Sequence, residues 1–346
     1  MNDKTQNQRP SHDCGNDCDR HHGGEGESEG ERAHEHEHED GPLAELVTVR
    51  DWLRYAITRF NRAGIFCGHG ATNTFDEAAW LILSTLSLPP DRLDPFLDAC
   101  IPGNERVELF ENIARRADER IPTAYLVNEA WLGDWRFYVD ARVIVPRSYF
   151  AEQLPRGLVP WIDDPETVTA ALDLCTGSGC LAIMMAETFL NADIVAADLS
   201  PGALDVARRN IEDYGHGKRI ELVQSDVFDG LGERRFDLII SNPPYVTTEA
   251  MATLPPEYLH EPRMALTAGD DGLDVVRRLL AGAARHLYPE GFLAVEVGHN
   301  RHIVEDAFPE LPFAWLSTHD GANGIFLLRR EDLLIKDQEP GIEGQI

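Results

Sequence analysis

"IISNPPYV", residues 239–246, begins as a buried strand and ends in a stretch that no strand interior accepts. Proline donates no backbone hydrogen bond, so Pro243 and Pro244 must stop the sheet pairing and stiffen the chain beyond it. Asn242 and Tyr245 are thereby held out at a strand end. Strands and helices alternate on both sides of this corner. Upstream, "AALDLC" is followed by a helix from Cys180, "DIVAAD" by a helix from Ser200 with Pro201 in its first turn, and "RIELVQSD" by a loop. Downstream, the pattern predicts a helix over Asp274–Leu287 and then the strands "GFLAVEVG", "AWLST" and "GIFLLRR". The expected class is α/β, with a mostly parallel sheet covered by helices on both faces. Ligands of such sheets lie beyond the carboxyl ends of the strands, and the conspicuous motifs sit there.

The first of these motifs, "DLCTGSGC" (173–180), places Gly177 and Gly179 in a strand-to-helix turn where backbone amides can approach a ligand closely. A purely structural tight turn would read the same way, and Ala182 stands near the third glycine of the dinucleotide fingerprint. Asp198 ends the next strand, about twenty residues on, where a carboxylate can accept both hydroxyls of a ribose. Asp226 ends the third, in "SDVF", placed either to cap a turn or to take an exocyclic adenine amine, with Val227 and Phe228 available to pack on the ring. Together the three strand ends describe a nucleoside site, with Asn242 to Tyr245 on the same rim.

Residues 1–42 are rich in Gly, Glu, Asp and His, include "AHEHEHED", and cannot bury enough surface to offset chain entropy. They read as a disordered acidic tail. Cys14, Cys18, His21, His22, His34, His36 and His38 are of types that hold zinc or nickel, but their spacing matches no common finger and a solvated low-complexity tail is the favoured reading. Residues 43–122 are helical. Leu46, Val49, Leu53, Ala56, Ile57 and Phe60 recur at helix spacing and stop near Gly64. Thr74 with Glu77 forms an expected capping box ahead of "AAWLILSTLSL", which Pro89 and Pro90 end, and a third helix over Asn104–Arg120 is expected to bury Val107, Phe110, Ile113 and Ala117. No polar constellation marks this region as catalytic, so it reads as a domain for substrate recognition. Residues 123–150, with "YLVNEAWLGDWRFYVDARVIVPRS", alternate around Gly133-Asp134 as strands joined by a linking hairpin. Residues 151–330 hold the α/β domain, and 331–346 form a C-terminal tail.

A chain of 346 residues with 43% apolar content can bury one or two cores. It holds no apolar run of about eighteen residues and no signal peptide at its start, which points to the cytoplasm and away from membranes. Six scattered cysteines suit free thiols better than a disulfide framework. The net charge of -29 disfavours a nucleic-acid backbone and suits a basic partner, although solubility or a salty host would also account for it.

With these residues in view, the sequence resembles the class I methyltransferases that use S-adenosylmethionine to modify planar amide or amino nitrogens, and among them the protein-(glutamine-N5) methyltransferases. Within that family, "WLGDWRFYVDARVIVPRS", "DLCTGSGC" and "LPPEYLHEPRMALTAGDDGLD" are similar to members that act on ribosomal large-subunit protein three. Members acting on the GGQ glutamine of peptide-chain release factors typically carry IPRPETE where this chain has "VPRSYFAE", so release factor is the alternative acceptor. The resemblance spans roughly residues 43–330 and leaves both tails open. It implies a Rossmann-like, mostly parallel seven-stranded sheet. It also places Cys175, Thr176, Gly177, Ser178 and Gly179 around the methionine part of the cofactor, Asp198 on the ribose, and Asp226 with Val227 at the adenine. Asn242, Pro243, Pro244 and Tyr245 then receive the substrate, with Asn242 also bordering the cofactor, and no metal is implied.

An amide nitrogen is a poor nucleophile because its lone pair is delocalised into the carbonyl. The Asn242 oxygen and the Pro243 carbonyl are expected to accept from the substrate NH2 and aim that lone pair, while Tyr245 stacks on the flat amide. His260, Glu261 and Arg263 follow as either a latch over the substrate or loop packing, and Glu296 as either a border of the site or a helix cap. DNA adenine N6-methylation shares the Asn-Pro-Pro-Tyr order but needs a basic groove that the charge disfavours. A non-catalytic ribosome assembly factor would retain the fold without turnover. A nicotinamide dehydrogenase would leave Asn-Pro-Pro-Tyr unexplained.

Overall fold

The computed structural model describes residues 41–319, 321 and 323–334. The expectations for the acidic His-rich tail, including its metal-binding residues, and for residues 335–346 fall outside the described residues. The described residues form one compact unit.

Seven strands build the central sheet: β3 (Ala170–Leu174), β4 (Asp193–Asp198), β5 (Ile220–Gln224), β6 (Phe236–Ser241), β7 (Leu287–Glu296), β8 (Ala314–Leu316) and β9 (Ile325–Arg329). Their order is β5-β4-β3-β6-β7-β9-β8, parallel from β5 through β7, with β9 antiparallel to both of its neighbours. The chain leaves β3 toward β4 on one side and returns to β6 on the other, so the order reverses at β3. That reversal opens a crevice at the carboxyl ends. Register sharpens the point: Leu174 lies opposite both Ala197 and Ser241, so residues 175, 198 and 242 emerge on one rim. The faces are filled by two clusters, one around Phe150, Ile183, Phe189 and Ile240, the other around Leu172, Ile239, Leu279 and Phe326.

Ahead of the sheet, the helices Val49–Ala63, Thr74–Thr85 and Gly103–Asp118 enclose their own core of Trp52, Phe60, Leu81, Ile82, Leu109 and Ile113. Two details depart from the sequence reading. The second helix is capped by Asn73, whose side-chain oxygen accepts from the Asp76 N–H at 2.9 Å, and not by Thr74. Glu77 is thereby freed from capping and buried at 1% exposure. Val107 is 43% exposed, because each three-residue step falls about 60° short of a full turn and two steps carry it off the face of Ile113.

The strands β1 (Ala130–Leu132) and β2 (Trp135–Phe137) pair antiparallel across Gly133-Asp134. They are shorter than the alternation implied: Thr123–Val127 is a helix, and Val139, Val143 and Val145 are buried outside any strand. Those valines pack with Ala203 and Val206 on the helix Pro201–Asp213. Asn210 of that helix fastens the arrangement, since its buried amide exchanges hydrogen bonds with the Tyr138 backbone (2.8 and 3.0 Å) and donates to the Ser178 carbonyl (2.8 Å). One side chain ties the hairpin to the glycine turn.

Candidate active site

The glycine turn owes its shape to Asp173, a carboxylate at 0% exposure inside β3. One of its oxygens accepts from the Thr176 hydroxyl (2.6 Å) and the Ala182 N–H (3.1 Å), while the other is buried without a hydrogen-bond partner among the described residues. Burial pushes this carboxyl up to about 7. Thr176 and Ser178 are buried by this bracing, and Cys175 and Gly177 adopt positive φ (62° and 55°). The two glycines differ in kind. A Cβ at Gly179 would lie 3.2 Å from the Ala207 Cα, so this position lets the helix Pro201–Asp213 close in. At Gly177 a Cβ would meet nothing within 4 Å, which is the open side of the turn.

Asp198 receives the Gly177 N–H (2.9 Å) and the Ser200 N–H (2.9 Å), one on each oxygen. Burial raises its pKa while these amides oppose the shift. Asp198 also lines the crevice, where a carboxylate oxygen with its second lone pair can accept a hydroxyl. Asp226 is paired with Arg278 (2.6 Å), a partner the sequence reading missed, and Val227 beside it is held at φ 53° by a turn in which the Ser225 hydroxyl donates to the Val227 carbonyl (2.7 Å). Phe228 does not face the crevice: it stacks on His286 with centroids 4.7 Å apart.

These strand ends line one pocket, which takes in Cys175, Gly177, Asp198, Asp226, Val227, Asn242 and Pro244. Its remaining wall is mostly apolar, with Leu174, Ala197, Val143, Met264 and Val275. Thr176, Ser178 and Gly179 stand behind the turn, and Pro243 is buried beneath the corner. The Asn242 side chain donates its NH2 to the Arg147 carbonyl at 3.2 Å. This fixes the amide flip and leaves Oδ1 as an acceptor. Tyr245 is half-buried, its ring so close to Gly298 that a Cβ there would come within 2.7 Å, and its carbonyl accepts from the Asn300 amide (2.7 Å). Burial pushes its phenol upward, so the ring stays neutral.

The family profile described as the methyltransferase small domain matches residues 156–270, which hold Asp173, Asp198, Asp226 and the Asn-Pro-Pro-Tyr corner. Over 290 residues the chain is 57% identical to the ribosomal protein uL3 glutamine methyltransferase of Neisseria gonorrhoeae, covering 84% of this chain and 97% of that protein. The proteins of the same name from Bordetella pertussis and Bradyrhizobium diazoefficiens are 51% and 47% identical, with 84% of this chain covered in each case and 97% and 92% of theirs. The chain belongs to the uL3 glutamine methyltransferase family. It is a protein glutamine methyltransferase of the α/β class I type, as its motifs implied.

In this methyltransferase the helical segment is joined to the Asn-Pro-Pro-Tyr loop by buried charges that local sequence patterns did not disclose. Arg116, 1% exposed, donates to Glu77 (2.7 Å), to Glu257 (3.2 Å) and to the Phe66 carbonyl (2.9 Å). Glu257 also takes the Phe66 N–H (2.9 Å) and Arg120 (3.3 Å). Next along the loop, Glu261 grips the Arg147 guanidinium through two 2.6 Å bonds and accepts the Val145 N–H (2.9 Å). Burial alone would raise the Glu261 carboxyl, but Arg147 and the nearby His69 outweigh it and hold it at about 2. Glu261 is therefore packed structure and not a latch. His260 contacts the Glu119 carbonyl (2.9 Å), and Arg263 is exposed. Glu296, buried at 2%, accepts from the Ser148 hydroxyl and the Tyr149 N–H (3.0 Å) at the start of the helix Phe150–Gln153, which is the capping alternative. Burial pushes it up to about 7. Among the described residues there is no cluster of three His, Cys, Asp or Glu placed to hold a metal, and no helix long and apolar enough to cross a membrane.

Proposed function

We propose that this enzyme transfers the methyl group of S-adenosylmethionine to the side-chain nitrogen of a glutamine in ribosomal protein uL3. Relatives at 47–57% identity bearing that name support the acceptor. The donor fits what lines the pocket: an open side at Gly177, a diol-ready carboxylate at Asp198, and apolar walls at Val227, Leu174 and Ala197. Bound there, the sulfonium would supply an already activated methyl group.

The observation that carries the reading is the orientation of Asn242. With its NH2 committed to Arg147, its Oδ1 can only accept, and the group that must be held is itself a donor, the glutamine NH2. Oδ1, on the pocket wall, would draw the amide hydrogens aside and aim the nitrogen lone pair, while the Pro243 carbonyl and the neutral Tyr245 ring, which adjoin Asn242 without lining the pocket, would serve as second acceptor and stacking face. Formation of the C–N bond would leave the S–C bonding pair on the departing sulfur. The nitrogen then becomes acidic and releases its proton to solvent, so no strong base is required. The helical segment 43–122 would hold the acceptor protein, and a ribosomal acceptor would place the enzyme in the cytoplasm.

The test is incubation with labelled S-adenosylmethionine and a panel of uL3, release factor and duplex DNA, followed by mass spectrometry of the products. Label on one glutamine side chain of uL3 is expected. Label confined to release factor would shift the acceptor, and label on DNA would overturn the substrate class.

A further inference from the structure

A second cleft shares no lining residue with the pocket at the strand ends. It encloses about 630 Å³ where the loop 70–72 and the helix Thr74–Thr85 face β1, with Trp80 and Trp131 as apolar walls and Asp76 and Asp91 as its two carboxylates. Trp80 is fixed from below, since a Cβ on Gly70 would lie 3.1 Å from its ring, and its buried Nε1 hydrogen has no acceptor among the described residues. Trp131 is 36% exposed, and its Nε1 donates to Glu129 at 2.9 Å, which sets the ring plane. Asp91 has no ion-pair partner among the described residues, and Asp76 engages only the cap residue Asn73. No lining residue is basic.

We propose that this cleft docks an arginine- or lysine-bearing segment of the methyl acceptor. Two indoles beside two carboxylates match a long cationic side chain, whose stem packs on the rings while its charged head meets the acids. The same acids would repel a phosphate backbone, and the net charge of -29 draws basic partners toward the surface. The position suits the task. Gly70 follows His69, whose ring lies 4.5 Å from Tyr258 and 3.6 Å from Glu261, and Glu261 grips the Arg147 whose carbonyl orients Asn242. A segment seated in the cleft is thus anchored to the scaffold that aims the transfer. This inference deepens the proposed function and rests on its reading of the acceptor as a basic protein.

The test titrates the full chain with a tetra-arginine peptide by calorimetry, alongside Trp131→Ala and Asp91→Asn, each first checked for an unchanged melting temperature. Trp131→Ala leaves the net charge intact, so general attraction to an acidic protein survives it, whereas a seat on the indole does not. We expect Trp131→Ala to weaken binding about tenfold and Asp91→Asn about threefold. With uL3 as acceptor, both variants should raise KM and leave kcat unchanged. Equal peptide affinity in all three proteins, or an unchanged KM for uL3, would overturn the proposal. If the wild type binds the peptide through Trp131 but methylates no uL3, the cation site stands and the acceptor reading fails.

Discussion

Arg116 and Glu257, 141 residues apart in sequence, meet at 3.2 Å with both side chains at or below 1% exposure. Arg116 also carries Glu77 and the Phe66 carbonyl, so one guanidinium fastens the helical segment to the loop that follows the Asn-Pro-Pro-Tyr corner.

Replacing Arg116 by Leu leaves Glu77 and Glu257 buried beside an apolar side chain. Removing one partner of a buried ion pair costs about 3–5 kcal/mol, which urea unfolding of the variant should show. Arg116→Lys should recover little, because an ammonium cannot span three acceptors in the guanidinium plane.

The strand-end glycines should separate by phenotype. Both pay for a positive φ on substitution by Ala, about 1–2 kcal/mol in the left-handed region. Only Gly179→Ala also drives a Cβ against the Ala207 backbone, so it should melt lower than Gly177→Ala. Gly177→Ala, whose new methyl points into open space on the pocket side, should keep the smaller stability loss and weaken S-adenosylmethionine binding in calorimetry.

Burial raises Glu296 from 4.5 to about 7, so the folded protein retains a proton that the unfolded chain releases. The sign follows. The stabilisation is complete below the unfolded value and is lost as pH rises through about 7, at up to about 1.4 kcal/mol per pH unit for one group. Asp173, also at about 7, acts in the same direction, whereas Glu261, held at about 2, titrates below this window. Asp198, which burial also raises, adds to the same trend, so unfolding measured from about pH 5 to pH 7 should show stability falling in the wild type, and Glu296→Gln should make the slope shallower by up to about 1.4 kcal/mol per pH unit.

How much of this was legible in the sequence depended on whether the signal was local. The strand ends, the glycine turn and the prolines after Ser241 act through backbone geometry within a few residues, and each emerged where the pattern put it. The buried junction did not, because Arg116, Glu257, Arg147 and Glu261 look like any solvated charges until the fold brings distant positions together. Glu77 shows the ambiguity in miniature. Asn73 and Thr74 are both good caps with an acid three residues on, and only the arrival of Arg116 decides which acid is buried. Asp173 did carry a signal, a carboxylate inside the apolar run "AALDL", which marks a buried polar group in need of partners.

The central claim is that Asn242, turned by its bond to the Arg147 carbonyl, presents an oxygen that holds the substrate amide for attack. Single-turnover methyl transfer to uL3 by Asn242→Ala, with S-adenosylmethionine binding measured in parallel, tests it most directly. Loss of one preorganised polar contact predicts a rate at least about 10²-fold slower with the methyl donor still bound. A near-normal rate in that variant would contradict the account.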